Sequence, residues 1–270
     1  MNYETFPPHA DLASFVSCYW ELEVEADPDV QKQRIISDGS IEMFFILGDE
    51  VKRYITDTDY LIQPRAMVLG PITEPFYIRP AGYVKTFAVR FYPYGFANFV
   101  KVPLKDLANT ETPLEALLPG STALQKKIEN AGDTQERIVV IENYLLGLLT
   151  EKTTIDAIVK STVHTLMNTK GSARIHTILE ENGINRRQLE RKFYQQVGLS
   201  PKQLGKVIRL QYALQRLVNR QADNLTEIAY DSDYYDQAHF TRDFREFTGI
   251  TPKDFPDDAG MELSAIFYTL

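Results

Sequence analysis

Two segments in the C-terminal half concentrate side chains that can hydrogen-bond to the edges of DNA bases. One is RRQLERK, from Arg186 to Lys192, and the other is QAHFTRDFR, from Gln237 to Arg245. Arginine can grip guanine with two hydrogen bonds, glutamine pairs with adenine, and threonine or alanine contacts the methyl group of thymine. Basic residues at the ends of such segments hold phosphates. The residue types therefore indicate sequence-specific recognition of double-stranded DNA.

A basic segment such as RRQLERK is, taken alone, more often a solvated helix face, and a repeat in the sequence argues against that interpretation. Residues 178–201 and 228–252 resemble each other at one constant offset, and both end in Gly-apolar-Ser/Thr-Pro. A doubled pattern of this kind is far more specific than a single basic helix. The matched positions are Leu189 and Phe240, Phe193 and Phe244, Gly198 and Gly249, and Pro201 and Pro252.

Each copy of the repeat has the pattern of a helix-turn-helix. A short helix is expected to end at Gly183 in the first copy and at Asp233 in the second, because glycine and aspartate tolerate the left-handed backbone of the turn. Asn185 and Asp236 follow as capping residues of a second helix. Apolar residues four apart then pack one face of that helix on its neighbour and leave the opposite face exposed.

A single long helix is predicted between the two copies, from Pro201 to Arg220, because proline is favoured in the first turn of a helix. Its expected buried side is Leu204, Ile208, Leu210, Ala213, Leu214 and Leu217. Such a spacer could hold the two units roughly 34 Å apart, one turn of DNA, so that one chain reads two successive major grooves. The exposed faces that would enter the grooves are Arg186, Arg187, Gln188, Glu190, Arg191 and Lys192 in the first copy, and Gln237, Ala238, His239, Thr241, Arg242 and Arg245 in the second.

Residues 154–256 resemble the DNA-binding domain of AraC-type bacterial transcription regulators. The resemblance rests on YYDQAHFTRDFREFTGITPKDF, NRRQLERKF and VGLSPKQ. It implies a regulator rather than an enzyme, with Asn185 and Arg186 near the DNA backbone. The positions that it implies for base reading are Arg187, Glu190, Arg191, Gln237, His239, Thr241 and Arg242. Leu179 and Asp233 depart from the family pattern, which usually has alanine and glycine there, so the packing of the first unit and the second turn are in question.

The first hundred residues have the pattern of a β domain, with short aromatic and β-branched stretches separated by Gly, Pro and Asp. Thr86–Phe91 is a predicted strand with Phe87, Val89 and Phe91 on one face. Many short strands with frequent turns favour a sandwich or small barrel. Stretches such as RIISDGSIEMFFIL and VKTFAVRFYPYGFANF resemble a β-rich sensory domain often found ahead of AraC-type units, which implies a cupin-like antiparallel fold and an unknown small-molecule effector.

The four histidines, His9, His164, His176 and His239, show no paired spacing for a metal, so neither metal nor cofactor is expected. Arg65, Arg79 and Arg90 lie in strand-like segments and would bind an anionic effector if two of them pointed inward. Most of the aromatic residues of the β domain are expected in its core. Those that could line a pocket are Trp20, Phe44, Phe45, Phe76, Tyr77, Phe87, Phe91 and Tyr92.

Charge is distributed unevenly along the chain, whose 270 residues carry a net charge of −8. Residues 170–256 hold 14 Lys and Arg against 11 Asp and Glu, a net of +3, where the repeat lies. The N-terminus has no secretory pattern, no apolar run is long enough for a membrane helix, and Cys18 is the single cysteine. These observations favour a cytoplasmic protein without a membrane partner.

The sequence thus predicts a multidomain α+β chain. Its parts are a β-rich sensory domain over 1–108, a helical linker over 109–152, an all-α double helix-turn-helix over 153–256, and an apolar tail over 257–270 that docks on the protein. A helix from Asp133 to Glu151, capped by Asp133 or Thr134, either packs on its own domain or supplies a homodimer contact. RNA polymerase is a further candidate partner. Two alternative functions are considered. An enzyme targeted to DNA would lack any recognisable catalytic group, and an architectural or interaction protein would differ from a regulator by having no preferred DNA sequence.

Overall fold

The computed structural model describes residues 1–36, 38–149, 155–219, 225–255 and Gly260. Two antiparallel sheets form the N-terminal part. The strands are β1 (Asn2–Phe6), β2 (Val16–Val24), β3 (Gln33–Ile35), β4 (Ile41–Ile46), β5 (Val51–Tyr54), β6 (Tyr60–Ile62), β7 (Ala66–Leu69), β8 (Phe76–Pro80), β9 (Val84–Phe91) and β10 (Glu111–Pro113). The larger sheet has the order β1-β2-β9-β4-β7-β10, and the smaller has the order β3-β8-β5-β6.

The larger sheet is buried on both faces, and β9 shows why. Phe87, Val89 and Phe91 alternate along the strand and are fully buried in one core, as the sequence predicted. The residues between them, Ala88 and Arg90, face the opposite side, toward the smaller sheet. The two sheets therefore face each other across an interior space, and the predicted cupin-like antiparallel fold is confirmed.

Helices cover the outer face of the larger sheet. They are α1 (Leu114–Leu117), α2 (Ser121–Asn130) and α3 (Thr134–Leu148). Asp133 caps α3 by accepting a hydrogen bond from the backbone nitrogen of Glu136 at 2.8 Å. Ile138, Ile141 and Leu145 of α3 are buried in the same core as Phe87. This helix therefore packs on its own domain, and Glu151, its predicted end, lies outside the described residues.

The C-terminal part is helical. Its helices are α4 (Ala157–Asn168), α5 (Ile175–Glu181), α6 (Arg186–Gln196), α7 (Pro201–Val218), α8 (Leu225–Asp231) and α9 (Gln237–Thr248). The predicted spacer helix is α7. Ser200 caps it by a reciprocal pair of hydrogen bonds with Gln203, and Pro201 occupies its first turn. Arg220 and the predicted apolar tail 257–270, except Gly260, lie outside the described residues.

The helix α7 supplies both helical cores. Leu204 belongs to a first core with Val163, Leu189 and Phe193, and Leu210 belongs to a second core, around Phe240 and Phe244. Each helix-turn-helix unit thus has its own apolar interior, and the shared helix fixes one unit relative to the other. Within the described ranges, no helix combines the length and the apolar character that crossing a membrane requires.

Candidate nucleic-acid interface

The first helix-turn-helix unit consists of α5 and α6. Gly183 lies between them with a φ of +57°, a left-handed conformation that glycine adopts without steric cost. Asn185 caps α6: its side chain accepts from the backbone nitrogen of Gln188 at 2.9 Å, and the Gln188 side chain accepts from the backbone nitrogen of Asn185 at 3.3 Å. This capping box fixes where α6 begins and therefore which side chains share its outer face.

The outer face of α6 carries the basic residues predicted from the sequence. Leu189 and Phe193 are fully buried, and Arg187 and Arg191 are exposed on the opposite side. The Arg186 guanidinium lies 2.8 Å from the half-buried carboxylate of Glu190, which raises the pKa of Arg186 by a hydrogen bond and by charge attraction. The Glu190 carboxylate is thus held by a neighbour in the absence of DNA.

Lys192 is placed differently from the sequence interpretation. Its ammonium lies 2.6 Å from the carboxylate of Asp156, the residue preceding α4, and the side chain is only partly exposed. Gln196, which is buried, donates to the same Asp156 side chain at 2.9 Å. Lys192 therefore joins α6 to α4 and is not part of the exposed face.

The second unit consists of α8 and α9 and repeats this geometry. Asp233 has a φ of +58°, so the departure from glycine leaves the left-handed turn in place. Asp236 caps α9 by accepting from the backbone nitrogen of His239 at 2.7 Å. Phe240 and Phe244 are fully buried. The turn and cap predicted for this copy are both present.

The outer face of α9 brings five predicted residues together in one shallow concavity: Gln237, Ala238, Thr241, Arg242 and Arg245. The Gln237 side chain also accepts a hydrogen bond from the Thr226 hydroxyl of α8 at 2.9 Å, which orients its amide.

His239 lies beside the concavity, and its ring is directed toward Tyr234 and Asp243 rather than toward the exposed face. Its ring meets Tyr234 edge-on at 5.3 Å between ring centroids, and its Nε2 lies 3.6 Å from Asp243. The structure therefore brings His239 less fully into the exposed face than the sequence pattern indicated.

Asp243 is a residue that the sequence interpretation missed. It is 3% exposed, and its carboxylate lies 3.0 Å from the ammonium of Lys206 on α7. Burial opposes the charge of Lys206, but hydrogen bonds to Asp243 and Glu246 raise the pKa of this ammonium. The pair attaches α9 to the spacer helix. An acidic residue next to the buried Phe244 and four positions after His239 is the sequence signal that could have identified it.

The other departure from the family pattern, Leu179, is half-buried on α5 and packs against the first core. The first unit therefore accommodates the larger side chain.

The N-terminal domain borders both units. Pro103 and Lys105 line a groove together with Arg187 and Arg191 of α6. The backbone at Gly198, after α6, approaches so closely that an added Cβ would lie 2.6 Å from Pro71. The matching position after α9, Gly249, would bring a Cβ within 3.6 Å of Pro75. One N-terminal loop, residues 70–75, thus contacts equivalent points of both copies.

Two N-terminal side chains also complete the helical cores. Tyr94 is 1% exposed in the first core and forms a 2.9 Å hydrogen bond with Nε2 of His164 on α4. Burial raises the pKa of Tyr94 to about 12, so its hydroxyl stays protonated at neutral pH. Ile36 is buried in the second core, beside Val207 and Leu210 of α7. The helical units are therefore not packed independently of the β domain.

A cavity of about 280 Å³ lies between the two sheets of the N-terminal domain. Most of its wall is apolar, and Trp20, Phe44 and Phe76 are among the lining residues. Gln211 of α7 also reaches the wall. Of the aromatic residues considered from the sequence, these three line the cavity, and Phe45, Phe87 and Phe91 lie in the core on the helical side of the larger sheet.

Of the three arginines in strand-like segments, one faces the cavity. Arg90 lines it, whereas Arg65 donates to the carbonyl oxygen of Gly48 at 2.6 Å and Arg79 is half-buried outside the lining. The condition for an anion site, two inward arginines, is not met. Burial raises the pKa of the Cys18 thiol. Within the described ranges, no three His, Cys, Asp or Glu side chains are grouped so that they could hold a metal ion.

Two family models match parts of the chain. Residues 4–113 match a domain of unknown function, DUF6597, and residues 178–257 match a helix-turn-helix domain. No curated protein matches the sequence. The first match covers β2 to β10 with most of β1, and the second covers α6 to α9 with most of α5.

Solved structures with a similar fold include ToxT from Vibrio cholerae, at a TM-score of 0.50 and 12% identity, over 88% of this chain and 98% of ToxT. A form of ToxT with bound unsaturated fatty acid gives a TM-score of 0.45 and 14% identity, over 87% and 93% of the two chains. The C-terminal domain of AraT, a response regulator from Geobacillus stearothermophilus, gives a TM-score of 0.36 and 20% identity, over 39% of this chain and 88% of the AraT domain. The first of these comparisons supports the two-part architecture.

Proposed function

We propose, on the premise that this chain carries an AraC-type helix-turn-helix domain behind a β-rich domain, that it is a transcription regulator whose two units read successive major grooves of DNA. One observation supports this most directly. The helices α6 and α9 each bury an apolar pair and expose arginines, and both pack on the 18-residue helix α7. At 1.5 Å per residue α7 is about 27 Å long, a length suited to neighbouring grooves.

We assign base reading to one set of side chains and phosphate contact to another. The exposed or half-exposed residues near the middle of each face are suited to reach base edges. Asn185, Arg186 and Arg245 are suited to phosphates because they lie at the edges of the faces. The proposed base-reading residues are Arg187, Glu190, Arg191, Gln237, His239, Thr241 and Arg242.

The N-terminal cavity is our proposed effector site. Its wall includes Gln211, a residue of the same α7 helix that carries both units, so an occupant would contact the spacer directly. A ligand that favours one position of α7 would shift the geometry of the two DNA-reading faces. RNA polymerase and a second copy of the chain are further partners that the family resemblance suggests, and DNA binding of this kind would take place in the cytoplasm.

Selection of binding sites from random DNA tests the proposal, at a stated salt concentration, because phosphate contacts depend on salt. The full chain is the proper sample, since Tyr94 and Ile36 complete the helical cores. We expect one sequence class to be enriched. The Arg191→Ala variant should lose about 1–3 kcal/mol of binding free energy and relax the preference at one base position.

Lys126→Ala provides the matched control, because Lys126 is an exposed cation on α2, away from both faces. It should change neither affinity nor preference. Equal weakening of all sequences by Arg191→Ala would remove this arginine from the base-reading set. Failure to enrich any sequence would reject the proposed function.

A further inference from the structure

The cavity between the sheets contains a cluster of charged side chains in an otherwise apolar wall. Glu42 on β4 and Arg90 on β9 are directly paired across neighbouring strands. One oxygen of Glu42, Oε1, accepts from Nε of Arg90 at 2.7 Å and from Nε1 of Trp20 at 2.9 Å. Asp38 approaches the same nitrogen, with its carboxylate 3.5 Å from Arg90 Nε. Two carboxylates therefore share one guanidinium.

The second oxygen of Glu42 is the distinctive atom of this cluster. Glu42 is 9% exposed, and its Oε2 accepts no hydrogen bond from any residue that the structure describes. Because Oε2 has no donor among the described residues and still has accessible surface, it borders the open volume of the cavity. Since Glu42 lines the cavity, a molecule inside the cavity could supply the missing donor.

The charge balance decides which chemistry that molecule would have. Burial raises the pKa of Glu42, although Arg90 and the hydrogen bond from Trp20 oppose this, so its negative charge gains from a cationic neighbour. When Glu42 is ionised together with Asp38 and Arg90, the three groups carry one excess negative charge. The two carboxylates raise the pKa of Arg90 even though burial opposes its charge, so the arginine remains an ion that they already neutralise. A ligand carboxylate would meet two like charges in a medium of low polarity, which is unfavourable. A cationic group would instead complete the balance.

The aromatic side chains beside the cluster favour the same kind of ligand. Trp20, which binds Glu42, meets Phe44 edge-on at 5.5 Å between ring centroids, and both residues line the cavity. Aromatic faces next to a carboxylate attract ammonium groups. The apolar remainder of the wall would hold a hydrocarbon body.

We propose that this cavity binds a small apolar amine, with its ammonium donating to Glu42 Oε2, close to Asp38, and its hydrocarbon part between the two sheets. A structural cross-strand pair needs one acid for one arginine. The second acid and the open volume beside the cluster are what point to a ligand. That this amine acts as the effector rests on the proposed function, whereas its binding is measurable without DNA.

Intrinsic fluorescence tests the inference, because Trp20 is the single tryptophan of the chain and lines the cavity. Hexylamine, hexanol and hexanoate share one hydrocarbon chain and differ in the charge of the head. Titrated into the full chain at neutral pH, hexylamine should change the tryptophan emission and bind roughly tenfold more tightly than hexanol, with hexanoate weakest.

The variant Glu42→Gln keeps the shape of the side chain and should abolish the preference for hexylamine over hexanol. The control Glu115→Gln removes an exposed carboxylate of α1 and should retain that preference. Circular dichroism monitors folding. If Glu42→Gln unfolds, Asp38→Asn gives the second test, because it removes one charge, keeps an acceptor for Ser40, and should reduce the preference.

Hexanoate or hexanol binding as tightly as hexylamine would overturn the inference, as would unchanged emission with all three compounds. DNA selection on the same protein separates this failure from failure of the proposed function. Enriched DNA together with a preference for hexanoate rejects the amine site alone. Amine binding without any enriched DNA rejects the regulator and leaves the site.

Discussion

The side chains on the proposed DNA-reading faces differ in whether they already form hydrogen bonds within the protein. Arg187 and Arg191 are exposed, whereas Glu190 is held by Arg186 at 2.8 Å and Gln237 by Thr226 at 2.9 Å. The residue types on these faces could be predicted from the sequence, because helical spacing alone sorts exposed from buried positions. The contact of Lys192 with Asp156 could not, since its partner lies on another helix and only the packing of α4 on α6 brings the two together.

Arg186→Ala tests the role of the arginine at the edge of α6. Because the ion pair of Arg186 with Glu190 is exposed to solvent, its loss should hardly change the free energy of unfolding. DNA affinity should fall for all sequences alike, and the salt dependence should decrease by about one phosphate contact. Titrations at several salt concentrations measure this, and a change in base preference would contradict the assignment to phosphate.

Asp243→Ala tests the buried carboxylate that attaches α9 to α7. Removing it leaves the Lys206 ammonium with its exposed partner Glu246, and we expect a loss of roughly 1–3 kcal/mol in the free energy of unfolding. Urea denaturation measures the loss. Glu246→Ala is the matched control, because the same ammonium loses a partner that is 54% exposed, and it should cost at most about 0.5 kcal/mol. Equal losses in both variants would remove the special role of Asp243.

At the level of elements, turns and caps were the most predictable features. Gly183, Asp233, Asn185 and Asp236 occupy the positions expected for them, because their backbone and capping preferences are local. The strand β1, Asn2–Phe6, had no such signal. It is largely exposed and is held by antiparallel pairing with the next strand, β2, which the residues of β1 alone do not indicate. The segment after Pro93 forms a short 3-10 helix over Gly95–Asn98.

Gly183→Ala tests the turn of the first unit. An added Cβ would meet no atom within 4 Å, so its effect comes from the left-handed backbone alone. We expect a loss of about 1 kcal/mol in the free energy of unfolding. Gly147→Ala is the control of opposite sign: it also meets open space, but it lies in helix α3, where alanine should stabilise by roughly 0.5 kcal/mol. Thermal denaturation of both variants measures these changes. A higher stability of the Gly183→Ala variant would contradict the proposed effect of the left-handed backbone.

At the scale of the whole molecule, the sequence predicted two parts but not how they are joined. The boundary proposed near residue 152 separates α3 from α4, yet Tyr94 and Ile36 lie in the helical cores. Hydrophobic periodicity indicates which face of a helix or strand is buried, but it does not indicate which other element packs against that face. For the same reason the cavity could not be predicted, since its lining comes from seven strands of both sheets, the segments beside them and α7.

Tyr94→Ala tests the connection between the parts. It removes a fully buried ring from the first core, and we expect a loss of about 3–5 kcal/mol in the free energy of unfolding, with faster hydrogen exchange in α4 and α6. Tyr94→Phe keeps the ring and loses the hydrogen bond to His164, so it should cost about 1 kcal/mol. If hydrogen exchange in α4 and α6 stayed unchanged in Tyr94→Ala, the two parts would be energetically separate.

The loop of residues 70–75 connects the cavity with both helix-turn-helix units. Its first residues, Gly70 and Ile72, line the cavity, and its prolines rest against Gly198 and Gly249, the corresponding corners of the two copies. A displacement of this one stretch would press on both corners at the same moment. If the proposed function holds, the affinities of the two units for DNA would then change together, and binding to the whole DNA site would show one transition.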